Sequence, residues 1–139
     1  MKKIFYTFLL IMLISCGKER QFSRVEDLNG YWRIVKAEIP KVIIKEYKGG
    51  LKLDYISLDK DSTGIRKKVK VSMIGKFKTT PNSQSIQLIQ EDDEMKIKCK
   101  TPYSTWKENV IHLSKDSLVL KNQDDKLYIY KKYSVDEIK

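Results

Sequence analysis

The feature that most constrains this chain is a repeated alternation of apolar and polar side chains in short runs. The clearest run covers residues 68–78, with apolar side chains at Val69, Val71, Met73 and Phe77 and lysines at Lys68, Lys70, Lys76 and Lys78. A period of two is that of a β-strand whose apolar side faces a core and whose lysines face water. A helix could align positions 69, 73 and 77, but Val71 and Gly75 fit it badly. We therefore predict one strand with its apolar side directed inward.

Comparable runs recur along the rest of the chain. Met95, Ile97 and Cys99 alternate with lysines in the same way, and further apolar runs of five to ten residues begin at Tyr31. Turn-forming residues separate the runs at 48–50, 61–64, 80–83, 114–116 and 122–125. This spacing predicts an all-β antiparallel up-and-down meander of eight or nine strands. Since an open meander leaves two unpaired edges, we predict closure into a small barrel.

A short helical turn is predicted before the first strand, over residues 22–28. Phe22, Val25 and Leu28 recur at a spacing of three, and Ser23 stands three residues before Glu26. That spacing is typical of a capping box at the start of a helix. Asn29-Gly30 then ends the turn.

The first fifteen residues have the three-part plan of a signal peptide. Two lysines precede an apolar run at 4–14, and Ser15-Cys16 closes it. A helix of this length covers roughly 16 Å, which is too short for a hydrocarbon core of about 30 Å. The last four residues resemble the lipobox of bacterial lipoproteins, in which cleavage makes the cysteine the acylated N-terminus. We predict a signal peptide at 1–15 and lipidation, with palmitate among the acyl chains, at Cys16.

Residues 16–21 are then a lipidated cysteine with a polar tether, and residues 22–139 a single domain. The lipid would hold the domain to a membrane of the cell envelope. Gly17 is not the aspartate that resembles an inner-membrane retention signal, so this analogy favours the outer membrane. Whether the domain faces the periplasm or the cell surface stays open.

The charge of the chain is strongly positive. The formal net charge is +10, and removal of Lys2 and Lys3 with the leader leaves about +8. Such a domain attracts anionic partners. An exported protein rarely meets nucleic acid, so we expect anionic lipid headgroups or an anionic envelope protein instead. Alternatively, the lysines simply solvate the outer face of the sheet.

Gly30-Tyr31-Trp32 opens the first predicted strand, and this chain resembles the lipocalin-like lipoproteins common in Bacteroidetes. Gly30 and Trp32 match the G-x-W motif of lipocalins. In that family the tryptophan closes the base of the barrel and an arginine at the end of the last strand covers it. The matching region here, residues 128–132, has lysine instead. The resemblance implies a lipocalin-like barrel with an apolar pocket.

Aromatic side chains are the candidates for the wall of such a pocket. Trp and Tyr combine a large apolar area with a polar tip and are frequent in binding sites. The residues predicted to form the cavity wall are Trp32, Tyr55, Phe77 and Trp106. In the alternative interpretation the same aromatic side chains fill the barrel.

No residue set in the sequence assembles a catalytic or metal site. His112 is the only histidine, and Cys99 is the only cysteine besides Cys16, which leaves too few metal ligands. Cys99 has the position of a small core residue rather than a nucleophile. The acidic run 91–94 fits a solvated hairpin loop, and Glu108, beside Trp106, is an isolated carboxylate without an identified partner. We therefore predict no enzyme activity, no catalytic residues, no metal and no cofactor.

Two functions remain open from the sequence. In the first, a lipid-anchored barrel binds a small apolar ligand in its interior. In the second, a solid barrel acts as a protein-interaction, inhibitor or immunity lipoprotein through its basic surface. The resemblance favours the first.

Overall fold

A computed structural model describes residues 24–41, 43–46, 52–72 and 74–134. The predicted leader, Cys16 and the tether lie outside these residues. Within this part of the chain, no helix has the length and apolar character to cross a membrane. A 3₁₀ turn at Val25–Leu28 precedes nine strands: β1 Gly30–Ile39, β2 Ile43–Glu46, β3 Lys52–Leu58, β4 Thr63–Val71, β5 Phe77–Glu91, β6 Glu94–Lys100, β7 Thr105–Leu113, β8 Ser117–Lys121 and β9 Leu127–Lys132.

The strands form one antiparallel sheet that closes on itself. Each strand from β3 to β9 pairs with the next along the chain, and β9 pairs with β1 to complete the barrel. β2 and β3 pair with different parts of the same edge of β1: β2 with residues 36–39 and β3 with residues 30–32. The barrel therefore has eight strand positions, and the predicted all-β meander with closure is confirmed.

The barrel interior is filled by its own side chains. Trp32 and Cys99 are fully buried, and Ile97, Leu113, Leu118 and Leu120 are each about 1% exposed. The buried residues of this core are Leu28, Trp32, Ile56, Ile86, Ile97, Cys99, Val110, Leu113, Leu118, Leu120 and Tyr130. Burial of this apolar area is the main favourable term for a domain that has no disulfide among its described residues.

The predicted helical turn is confirmed as the 3₁₀ turn. It starts after Arg24, whose side chain makes no capping hydrogen bond, while Ser23, the predicted cap, lies outside the described residues. Leu28 at the end of the turn is fully buried. Asn29 Oδ1 accepts a 2.6 Å hydrogen bond from the Leu58 backbone N–H, which ties the turn to the end of β3.

Residues 68–78 form two strands and a turn, so the single strand predicted there is wrong. β4 ends at Val71 and β5 begins at Phe77. Between them the Ser72 N–H donates to Lys76 O at 2.8 Å, and Gly75 has a φ of +75° that glycine adopts without strain. The alternation of apolar and polar residues continues across the turn, because Val71 and Phe77 are register partners and lie on the same face of the sheet. Met73 lies outside the described residues.

The turn predicted at 80–83 is also wrong. β5 runs without a break from Phe77 to Glu91 and so includes these residues. Ser83 pairs with Lys67 and Thr79 with Val69, so the residues between Thr79 and Ser83 form an irregularity in the β4–β5 pairing rather than a turn.

The apolar side of β4 also faces away from the barrel core, contrary to the prediction. Arg66 is the register partner of Ile56, a core residue, so Arg66 faces inward. Val69 lies three residues further on and shares the outward face with its partner Leu53. Both are nevertheless about 1% exposed. A second apolar cluster therefore exists outside the barrel.

This outer cluster forms because the sheet curls sharply. The rings of Tyr31 on β1 and Phe77 on β5 are 4.9 Å apart, although β3 and β4 lie between these strands. Neighbouring strands are about 4.8 Å apart, so a flat sheet would separate the two rings by roughly 14 Å. The β4–β5 hairpin must bend towards the outer side of β1. We call the following residues the outer cluster: Tyr31, Leu53, Tyr55, Val69, Val71 and Phe77.

Candidate functional site

A polar cleft of about 370 Å³ opens between β3, β4, β5 and β7 and the turn after β6. Its residues are Asp54, Arg66, Lys67, Lys68, Thr80, Asn82, Ser83, Gln84, Thr101 and Glu108. The set contains hydroxyl, amide and charged groups and no aliphatic or aromatic side chain. A ligand in this cleft would be held by hydrogen bonds and charge.

The inner end of the cleft is organised by the buried guanidinium of Arg66. Its Nη1 donates to Glu108 Oε2 at 2.8 Å, and its Nη2 donates to Asp54 Oδ2 at 3.1 Å. Nη2 also donates to the hydroxyl of Tyr130, again at 3.1 Å. These contacts join β4 to β3, β7 and β9. Arg66 is thus occupied by protein partners and acts as the fixed base of the cleft.

The two carboxylates around Arg66 have further partners. Asp54 Oδ1 contacts the ammonium of Lys68, whose side chain is 60% exposed at the edge of the cleft. Glu108 Oε1 accepts a 3.1 Å hydrogen bond from the indole N–H of Trp106. Because buried charges are costly unless they are paired, these partners explain how a barrel interior accommodates Arg66 with two carboxyl groups.

The pKa values of the buried groups follow from this arrangement. Burial raises the pKa of Asp54, but the charges of Arg66 and Lys68 outweigh it and hold that pKa below its ordinary value. Burial lowers the pKa of Arg66, yet Tyr130 and the two carboxylates raise it well above its ordinary value. Burial also raises the pKa of the Tyr130 hydroxyl. At neutral pH the network therefore holds charged Arg66 and Asp54 and a neutral tyrosine.

Gln84 on β5 carries an unsatisfied polar atom in the cleft. Its Oε1 is buried and has no hydrogen-bond partner in the part of the chain that the structure describes. An unpaired buried acceptor costs about 1–3 kcal/mol, so such an atom calls for a donor. A hydroxyl or N–H group of a ligand in the cleft would supply it.

Trp32 is a buried core residue of β1 and the register partner of Asp54 on β3. Its indole N–H donates to Leu28 O at 2.8 Å, and Lys132 Nζ stands 4.8 Å from the centre of its ring. Lys132 Nζ also donates to Asp27 O at 2.7 Å. Lys132 thus covers the tryptophan where the lipocalin resemblance leads us to expect arginine. Glycine fits at position 30, beside Lys132, because its φ is +127° and a Cβ there would lie 2.9 Å from Lys132 Cε.

The structure does not bring the four predicted wall residues together. Trp32 is part of the buried core beside Asp54, and Trp106 packs against the core while its indole N–H donates to Glu108. Tyr55 and Phe77 both contact Tyr31 in the outer cluster, on the other face of the sheet. None of the four is among the residues that line the polar cleft.

Sequence reasoning missed Asp54, Arg66 and Gln84. One signal was present: Asp54 interrupts the apolar run of β3, where an acidic side chain needs a buried partner. Arg66 gave no signal, because it stands beside two lysines and reads as another solvated cation. Glu108 was singled out by its position, and the structure now supplies its partners, Arg66 and Trp106.

The remaining candidates for chemistry are not among the residues that line the cleft. Cys99 is fully buried, and burial, with the charge of Glu108, raises its pKa to about 12. The described residues contain no cluster of three or more side chains able to hold a metal ion. In the acidic run 91–94, Asp92 and Asp93 form the turn between β5 and β6, and Glu91 Oε2 accepts a 2.8 Å hydrogen bond from Lys107 Nζ. This run is a hairpin loop, as predicted.

No family model and no curated protein matches this chain. Among solved structures, it is similar to a lipocalin-like protein from Bacteroides uniformis, with 14% sequence identity over 77% of this chain and 99% of that one and a TM-score of 0.49. It is also similar to an uncharacterized protein from Bacteroides eggerthii, with 12% identity over 76% and 98% of the two chains and a TM-score of 0.48. The lipocalin-like resemblance predicted from Gly30 and Trp32 agrees with the first of these. The closed barrel itself rests on the strand pairing of this chain.

Proposed function

We propose that this protein is a small-ligand-binding module of the cell envelope, held to the outer membrane by lipid on Cys16. The observation that carries the binding proposal is the polar cleft, in which Gln84 Oε1 is buried without a partner. Among the described residues the barrel interior holds a packed apolar core, and this cleft beside it is the place for a ligand.

The ligand that fits this cleft is a small polar molecule with hydrogen-bond donors. Every lining residue carries a polar or charged group, so such a ligand can form hydrogen bonds that the apolar ligand expected from the resemblance cannot. Arg66 holds Asp54 and Glu108 in place through its own hydrogen bonds. Arg66 is also the register partner of Gln84, so this fixed base holds the backbone beside the acceptor in place and lowers the cost of binding. The buried Oε1 itself must turn towards the ligand to accept its hydrogen bond.

Native mass spectrometry tests the binding proposal. The chain with Cys16→Ser and without its leader is purified from its native envelope system and weighed intact, before and after organic extraction. We expect a co-purifying small molecule that extraction removes. Gln84→Leu removes the buried acceptor and should abolish this mass difference.

Gln87→Leu is the matched control for the cleft. Gln87 lies on the same strand but is exposed, with its partners on the outward face. Retention of the small molecule in this variant and its loss in Gln84→Leu would support the cleft. Loss in neither variant would place the ligand elsewhere, and an empty wild-type domain would count against ligand binding.

Lipid anchoring has its own test. Metabolic labelling with palmitate and separation of inner and outer membranes are applied to the full chain and to Cys16→Ser. We expect label in the outer-membrane fraction of the wild type and none in the variant. Unlabelled wild-type protein in the soluble fraction would contradict the anchor and leave the cleft proposal untouched.

A further inference from the structure

Three lysines stand directly opposite one another on β3, β4 and β5. Lys52 is the register partner of Lys70, and Lys70 is the partner of Lys78. All three are exposed, and no acidic side chain among the described residues forms an ion pair with any of them. Like charges directly opposite on neighbouring strands destabilise a sheet. This lysine row is therefore a surface that binding of an anion would stabilise.

The lysine row continues the face of the sheet that carries the cleft. Lys70 follows Lys68, a cleft residue, by two positions along β4, and Lys78 precedes Thr80, another, by two along β5. Asp54 is the acidic residue next to the row on this face, and its carboxylate is already engaged by Arg66 and Lys68. The positive charge of the row is thus uncompensated by this neighbour.

An exposed aliphatic side chain stands beside the row, at the tip of the same hairpin. Ile74 lies in the turn between β4 and β5 and is 76% exposed, and Lys76 in that turn is exposed as well. The other face of the hairpin packs into the outer cluster through Val71 and Phe77. The hairpin is consequently held against the barrel, with lysines on its free face and an isoleucine at its tip.

We propose that the lysine row and Ile74 dock the barrel onto an anionic phospholipid surface. Protein interfaces are depleted in lysine and depend on aromatic and arginine anchors, and the row has neither. A phospholipid surface instead accepts flexible ammonium groups at the headgroups and one apolar side chain at the acyl boundary. This docking adds to the ligand-binding function, and neither the cleft nor the lipid on Cys16 is needed for it.

Vesicle co-sedimentation tests the docking surface. The leaderless chain with Cys16→Ser is mixed with vesicles of phosphatidylglycerol and phosphatidylcholine, and with vesicles of phosphatidylcholine alone. We expect binding to the anionic vesicles that weakens with added salt. Each lysine near a charged bilayer contributes about fivefold to partitioning, so Lys52→Gln, Lys70→Gln and Lys78→Gln together should weaken binding on the order of a hundredfold.

A second triple variant separates the row from net charge. Lys60, Lys98 and Lys115 are exposed lysines elsewhere on the barrel, and their joint replacement by Gln changes the net charge equally. We expect this control to retain most of the binding. Equal loss in both triples would overturn the lysine row as a surface and indicate a response to overall charge alone.

The tip is tested in the same assay by Ile74→Ser. Removal of an inserted isoleucine should weaken binding about tenfold, whereas Ile111→Ser, at a 49% exposed position on β7, should leave it unchanged. The proposal would be overturned if the wild-type protein did not co-sediment with anionic vesicles.

Discussion

Arg66 and Glu108 form a hydrogen-bonded ion pair of 2.8 Å across the barrel, although 42 residues separate them in the sequence. Their side chains are 10% and 13% exposed. β4 and β7 are not neighbours in the sheet, so this pair ties two sides of the barrel together through its interior. It is also the base on which the cleft is built.

Arg66→Met should destabilise the domain by about 3–5 kcal/mol. The methionine fills much of the space, but Asp54 and Glu108 remain buried without the positive charge of the arginine. Removing one partner of a buried ion pair is strongly destabilising, because the other partner stays buried and uncompensated. Urea unfolding at pH 7 measures the change. Lys98→Met, at an exposed position, should shift the free energy of unfolding by less than about 0.5 kcal/mol. An Arg66→Met domain as stable as the control would mean that the network contributes little to the fold.

Several of the turns and the strand count could be predicted because they depend on local chemistry. Ser62 and Asp125 belong to turn-forming clusters, and a period of two shows that the runs between such clusters are strands. Closure follows from the cost of unpaired edges. Two strand bounds were predicted wrongly. The turn at 72–76 was missed because Val71 and Phe77 lie on the same face on either side of it. The turn predicted at 80–83 does not exist, because β5 continues through these residues with a shift of register against β4.

The cleft could not be predicted, because a period of two shows which side chains share a face and not which face is inside. On β4, Lys68 and Lys70 are on the same face of the sheet as Arg66, and this is the face on the side of the barrel interior. Val69 is on the opposite, outward face. The curl that buries Val69 brings Tyr31 to Phe77 and depends on contacts between distant strands. For the same reason Tyr55 and Phe77 were placed in a cavity wall that the structure does not assemble from them.

Asp54 should make the stability of the domain depend on acidic pH. Its folded-state pKa lies below the ordinary value of 3.8, because Arg66 and Lys68 outweigh the effect of burial. Its contribution is therefore complete above pH 3.8 and is lost as the pH falls through the lowered folded-state value. Urea unfolding from pH 7 to pH 2 measures this. The difference in free energy of unfolding between the wild type and Asp54→Asn should become smaller below pH 4. A difference that stays constant would contradict this. Asp124→Asn, at an exposed turn position, is the control.

Gly64→Ala should destabilise the barrel by about 3 kcal/mol. A Cβ on Gly64 would lie 1.9 Å from the backbone oxygen of Ser57 and 2.9 Å from Leu58 Cα, so β3 and β4 would have to separate. Thermal unfolding followed by circular dichroism measures the loss. Gly75→Ala is the comparison, since Gly75 has a positive φ in a short turn and the change should cost about 1 kcal/mol. Equal effects at the two positions would show that the strand contact at Gly64 adapts.

Cys99 should be chemically inert in the folded domain. It is fully buried, and burial with the nearby Glu108 raises its pKa to about 12, so the reactive thiolate is scarce at pH 8. We expect iodoacetamide to leave Cys99 unmodified in the native Cys16→Ser chain and to alkylate it fully in urea, as measured by intact mass. Ser104→Cys places a thiol at an exposed position and should react within minutes.

The same thiol gives the domain an alkaline limit. Its folded-state pKa of about 12 exceeds its ordinary value of 9.0, so the folded state holds this proton more tightly than the unfolded chain. The contribution to stability is then complete below pH 9 and is lost as the pH rises from 9 to about 12. Cys99→Ala should remove this part of the alkaline dependence in urea unfolding. Rapid alkylation of native Cys99 at pH 8 would contradict both predictions, because it would require the core around Ile97 and Trp106 to open readily.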